Sequence, residues 1–184
     1  CYRVTQKAFI SKLTPGSLPT GRLQKPLKLT DEERKEFRSV CGCLQWLAGQ
    51  CRPELCAPTS LSHKGADTDV HDLKVLYECL DFTKKTPDSG IVYPAVPLNR
   101  ASTLIAYSDA SWSNASNFKS QFGALVMICP AQVSEKTSYG FLVDWKSGRT
   151  QRVCRSTLAS EACASDEAAD RCCFTNLVLT ELLY

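Results

Sequence analysis

The run Leu-Ile-Ala-Tyr-Ser-Asp-Ala-Ser-Trp at residues 104–112 constrains this chain more than any other stretch. Leu104, Ile105 and Ala106 read as a short apolar strand over 103–108. Asp109 arrives where the run meets small polar residues, so a carboxylate is expected at a strand's edge. Two further strand-like runs follow, at 122–129 and 138–145. After them comes the longest helical pattern in the chain, 158–183, with Ser156 or Thr157 as its cap and Glu161 near its start. Strands joined by short loops pair antiparallel, which predicts a three-strand meander with a helix packed back across it, able to bring Glu161 over Asp109.

The upstream half has another character. Residues 1–29 hold Pro15, Gly16, Pro19, Gly21 and Pro26, and the first 28 carry six basic side chains and no acid. An irregular basic linker is expected there, suited to a polyanion or merely solvated. Thr30-Asp31-Glu32-Glu33 then fits a capping box, and Phe37, Val40, Cys41, Leu44, Leu47 and Ala48 follow helical spacing. Pro53 opens a short second helix, whose length Pro58 limits. A third starts at Thr68 or Asp69, carries Val70, Leu73, Leu76, Tyr77 and Leu80 on one side, and ends before Pro87. Core packing accounts for these periodic residues. A small helical module is therefore predicted over 30–95 and an α/β unit over 96–184.

Eleven cysteines require a zinc or disulfide framework to be weighed. None forms Cys-x-x-Cys, and only His63 and His71, both in a polar stretch that solvent accounts for, could add imidazole ligands. Cys41, Cys163 and Cys172 fall at core spacing, which favours small buried hydrophobes in a reducing intracellular setting over a zinc module. No apolar run reaches the roughly 18 residues of a membrane span, so no membrane partner is expected. The first residue is Cys1 rather than methionine, which suggests a fragment.

The order strand, Asp109, hairpin, basic run, helix, Glu161 resembles the ribonuclease H domain of a copia-type retrotransposon polyprotein. Phe37-Arg-Ser-Val-Cys-Gly-Cys-Leu-Gln-Trp-Leu-Ala48, followed by Arg52-Pro53-Glu54, resembles the segment joining the reverse transcriptase to that domain. The resemblance covers roughly residues 36 to 183. It implies a thumb- or connection-like module, then a ribonuclease H-like mixed sheet, with the palm and fingers as partners elsewhere in the polyprotein. The sequence has no adjacent Asp-Asp pair, so the polymerase site of such a polyprotein is not in this chain. A cytoplasmic particle or the nucleus is the implied location.

The implied activity is Mg²⁺- or Mn²⁺-dependent endonucleolytic hydrolysis of RNA in an RNA:DNA hybrid. Two ions about 4 Å apart would activate water and stabilise the leaving oxygen, held by hard carboxylate ligands. By the resemblance Asp109 bridges both ions and Glu161 holds one. The family also uses an Asp after the following strand, and the sequence ends at Tyr184 without a match for it, so weak or absent activity is expected. Asp166 and Asp170 stand about 140° and 180° around the helix from Glu161 and face elsewhere. Asp144 matches no family position.

Lys146, Arg149, Arg152 and Arg155 recur every third residue with no acid between them, a row suited to phosphates or to a solvated loop. Lys119 and Ser120 match a basic-serine pair of the family, and Ser111, Ser156 and Thr157 can donate hydroxyls to phosphate or a ribose 2′-OH. Trp112 and Trp145 read as core rather than base-stacking residues. A reading of another class uses the same row without chemistry, as a non-catalytic hybrid- or RNA-binding remnant.

Overall fold

The computed structural model describes residues 1–24, 27–94, 102–129 and 140–183. In chain order the elements are β1 (Tyr2–Val4), α1 (Lys7–Ile10), α2 (Asp31–Gln50), α3 (Cys56–Ser62), α4 (Val70–Lys85), β2 (Ile91–Tyr93), β3 (Thr103–Ser111), β4 (Gln121–Cys129), β5 (Phe141–Arg149) and α5 (Thr157–Leu183). They form two compact units, one over Thr5–Gly90 and the other from Cys1–Val4 together with Ile91–Tyr184. The second unit thus begins at Ile91 rather than near 96, because β2 pairs antiparallel with β1.

In the helical unit the expected capping box of α2 forms, and the expected cap of α4 is a second one. Thr30 caps α2 with Glu33 reaching back, and Asp69 caps α4 with Asp72 in the same role. The periodic residues Phe37, Cys41, Leu44, Leu47, Val70, Leu73, Leu76 and Tyr77 are buried in one core. The expectation of an irregular basic linker over 1–29 is corrected. Ile10 and Leu29 are buried in that core and Leu13 and Leu18 pack against it, so the apolar residues around the prolines outweigh the breakers. Arg22 adds a bidentate pair to Glu33, at 2.6 and 2.7 Å.

Arg52, from the junction motif, is fully buried. Its guanidinium donates to the carbonyl and the hydroxyl of Thr86, at 3.0 and 2.8 Å, pairs with Glu54 and lies over the Phe82 ring. Thr86 caps the C-terminus of α4. One side chain therefore ties the turn after α2 to the end of α4, a task that needs a planar fork of donors.

In the sheet unit the strands run in the order β3-β4-β5, all antiparallel, and α5 follows them. The fold is mixed α/β, with the three-strand meander and following helix that the sequence predicts. Phe122, Ala124, Val126 and Ile128 of β4 are buried. Pleating puts them on one face, and their register partners Ala110, Ser108, Ala106 and Leu104 share it. Against that face α5 sets Ser160, Ala164 and Ala168, all buried and all small, at a spacing that permits close approach of helix to sheet. Lys146–Glu167 and Arg171–Asp144 pair the β5 side of α5 to the sheet at 2.7 and 2.5 Å. The other face of the sheet leaves Tyr107 and Leu125 exposed.

Two strands run longer than the sequence pattern predicts. β3 continues to Ser111 because β4 pairs with it from Gln121 onward, so Asp109 lies within the strand. β5 spans Phe141–Arg149, and Ser138 and Tyr139 lie outside the described residues. Gly148 makes the extension possible, since a Cβ there would meet the Phe122 ring at 3.1 Å. Among the described residues no helix is long and apolar enough to cross a membrane.

Candidate nucleic-acid interface

The loop joining β3 to β4 and the loop joining β5 to α5 are stitched together at one end of the sheet. The Thr150 amide donates to the Ser120 carbonyl at 2.8 Å, and the Ser120 amide donates to the Thr150 hydroxyl at 3.2 Å. Trp112 Nε1 donates to the Cys154 carbonyl at 2.9 Å, and Arg149 Nη1 to Ser116 Oγ at 2.7 Å. Within the first loop, the Ser113 amide donates to Ser120 Oγ and the Gln121 amide to Asn114 Oδ1. Ser113, Asn117 and Phe118 all take positive φ, near 55° to 59°. Strain of this kind, of order 1–3 kcal/mol per residue, persists only where surrounding bonds fix the conformation.

This end presents cations and aromatic faces together. Arg152 and Arg155 are exposed, and Arg149 and Lys119 are half-buried. Phe118 is 76% exposed and Trp112 48%. Cations beside exposed rings suit a polyanion whose bases can stack. Trp112, read from the sequence as core, is instead a half-exposed ring anchored by its N–H. Phe118 was not legible in the sequence as a surface residue; the Ser-Asn-Phe-Lys turn, with Asn at a left-handed position, is the signal that points to it.

Several expected contacts are redistributed. Ser120 is fully buried and its hydroxyl is taken by the Ser113 amide, which corrects its assignment to nucleic acid. Lys146 is not in one row with Arg149. A spacing of three within a strand sends side chains to opposite faces, and Lys146 pairs with Glu167 under α5 and lies over the Phe122 ring. The hydrogen bond from Lys146 is the main cause holding the Glu167 carboxyl below its usual range. Ser156 is exposed, but its hydroxyl accepts the Ala159 amide as the cap of α5. Ser111 and Thr157 are exposed.

The carboxylates are divided in the same way. Ser108 Oγ lies 3.2 Å from Ser165 Oγ, so Ser108 faces α5. Asp109, the next residue, therefore points to the opposite face, across from Gly123, with Ser147 of β5 the next residue along that row. Glu161 stands one helical turn before Ser165, on the flank of α5 nearest β3. The two acids approach the edge strand β3 from opposite faces. Among the described residues no group of three or more His, Cys, Asp or Glu is placed to hold a metal ion. Two carboxylates on opposite faces of one strand do not by themselves make up a two-ion centre.

Of the cysteines expected in the core, Cys41 is buried, Cys172 half-buried and Cys163 exposed. Cys163 sits on the side of α5 next to the loop carrying Cys154. No protein-family model, curated protein or solved structure matches the chain.

Proposed function

We propose that the chain is a segment of a copia-type retrotransposon polyprotein, in which the helical unit is the junction after reverse transcriptase and the sheet unit is ribonuclease H-like. In this reading the sheet unit grips an RNA:DNA hybrid by its backbone. The observation that carries it is the stitched loop end, where Arg149, Arg152, Arg155 and Lys119 stand beside Trp112 and Phe118 on rigidly bonded loops. Phosphate contacts of this kind position a duplex without reading its sequence. The parent activity of such a polyprotein is Mg²⁺- or Mn²⁺-dependent hydrolysis of the RNA strand, and Asp109 and Glu161, on opposite faces of β3 here, would not by themselves hold the pair of ions it uses. The cations of the loop end support holding a hybrid, and the two carboxylates alone do not support cutting it.

The second reading, residual nuclease activity, is favoured by one observation. β3 has no neighbour on its outer side among the described residues, so both acids flank the same open edge. The test is incubation of purified protein with Mn²⁺ and a labelled hybrid. Trace cutting at most is expected, with binding that survives Asp109→Asn. Robust cutting abolished alike by Asp109→Asn and Glu161→Gln would overturn the binding-only account and establish the nuclease.

A further inference from the structure

The thiols of Cys154 and Cys163 have no role in the proposed hybrid interface, yet their sulfurs lie 3.9 Å apart, nine residues apart in sequence. Cys154 is buried at the end of the loop between β5 and α5, and Cys163 is exposed in the second turn of α5. The pair is held from both sides. The Cys154 carbonyl accepts the Trp112 indole, its thiol lies 3.9 Å from the Arg152 carbonyl, and α5 is packed on the sheet through Ser160, Ala164 and Ala168. A disulfide needs sulfurs at about 2.05 Å, so roughly 2 Å must close, within reach of side-chain rotation and a small loop shift.

We propose that Cys154 and Cys163 are an oxidation site, forming a reversible disulfide that clamps the loop bearing Arg152 and Arg155 onto α5 when a peroxide is present. The exposed Cys163 thiolate attacks one oxygen of hydrogen peroxide, breaking the O–O bond and giving a sulfenic acid and hydroxide. The Cys154 thiolate then attacks that sulfur, forming the S–S bond and expelling a second hydroxide. The two thiol protons convert both hydroxides to water. Two thiols and one peroxide yield one disulfide and two waters, with two electrons passing from sulfur to oxygen. A dithiol reductant reverses the step by exchange.

The surroundings set the pace. Burial pushes the Cys163 thiol up, the neighbouring Cys154 and Asp166 add to this, and the Arg152 guanidinium opposes it. Such a thiol reacts slowly beside a dedicated sensor, which fits a site that records sustained oxidant. The approach of the two sulfurs is independent of hybrid binding.

The test treats the full chain with hydrogen peroxide, alkylates the remaining thiols under denaturing conditions, and digests with trypsin, which cuts after Arg152, Arg155 and Arg171. The expected product joins the peptides of Cys154 and Cys163, is lighter than their sum by about 2 Da for the two thiol hydrogens lost, and disappears with dithiothreitol. Cys163→Ser, at an exposed position, should abolish it without disturbing the fold. Cys154 remaining fully alkylated while Cys163 is oxidised to a sulfinic acid, or joined to another cysteine, would overturn the proposal.

Discussion

The indole N–H of Trp112 donates to the carbonyl of Cys154 at 2.9 Å, joining the loop after β3 to the loop before α5. Trp112→Phe keeps most of the ring and removes the donor. A single hydrogen bond of this type contributes about 0.5–1.5 kcal/mol. The variant should lose stability in that range by urea unfolding and exchange amide hydrogens faster over 113–120 and 150–155. Unchanged exchange in both loops would show that the bond does not hold them together.

Close contact of α5 with the sheet depends on side chains too small to keep the backbones apart. Ala164 is fully buried, and Ala164→Leu forces the added carbons against the sheet. Overpacking of this kind typically costs about 1–3 kcal/mol. Urea unfolding should show a loss in that range, whereas Leu158→Ala, at a position 77% exposed, should leave the midpoint nearly unchanged.

In the helical unit, Arg52 occupies the place of a core side chain. Arg52→Ala leaves the Thr86 carbonyl and hydroxyl without their donor, at an expected cost of about 1–3 kcal/mol for acceptors left unsatisfied. Arg52→Lys should recover little of it, since an ammonium cannot reach Glu54 and both Thr86 oxygens as a planar fork does. Full rescue by lysine in urea unfolding would contradict this role.

Acid weakens the bond between α5 and β5. The Glu167 carboxyl is held below its usual range by Lys146 and, more weakly, by Arg171. A depressed carboxylate contributes its stability in full above its unfolded pKa, about 4.3, and loses it as pH falls through the lower folded value. The pair is partly exposed, so the contribution is under about 1 kcal/mol. Glu167→Gln should be slightly less stable at neutral pH and should flatten the decline below pH ~4 in thermal unfolding. Parallel profiles for the two proteins would contradict the assignment.

The helices and their caps were legible because each signal is local. Thr30 with Glu33 and Asp69 with Asp72 bond within a single turn, and the core positions repeat at one helical period. The sheet order was legible for a similar reason, since short loops leave antiparallel pairing as the simple outcome. The face to which each strand residue points was harder to read. Lys146 and Arg149 look like one row until β5 is seen to run through both, and the pleat then separates them. The same alternation sends Asp109 away from Glu161, which the order of motifs alone could not reveal. The Cys154–Cys163 approach depends on how the loop turns into α5, and nothing in the spacing of the two residues announces it.

The most direct test of hybrid binding is fluorescence anisotropy with a labelled RNA:DNA hybrid titrated across a series of salt concentrations. Binding through these arginines should weaken linearly on logarithmic axes, with a slope that falls by roughly one for each of Arg149, Arg152 and Arg155 changed to Ala. Absence of binding at low salt, or binding untouched when all three arginines are removed, would contradict it.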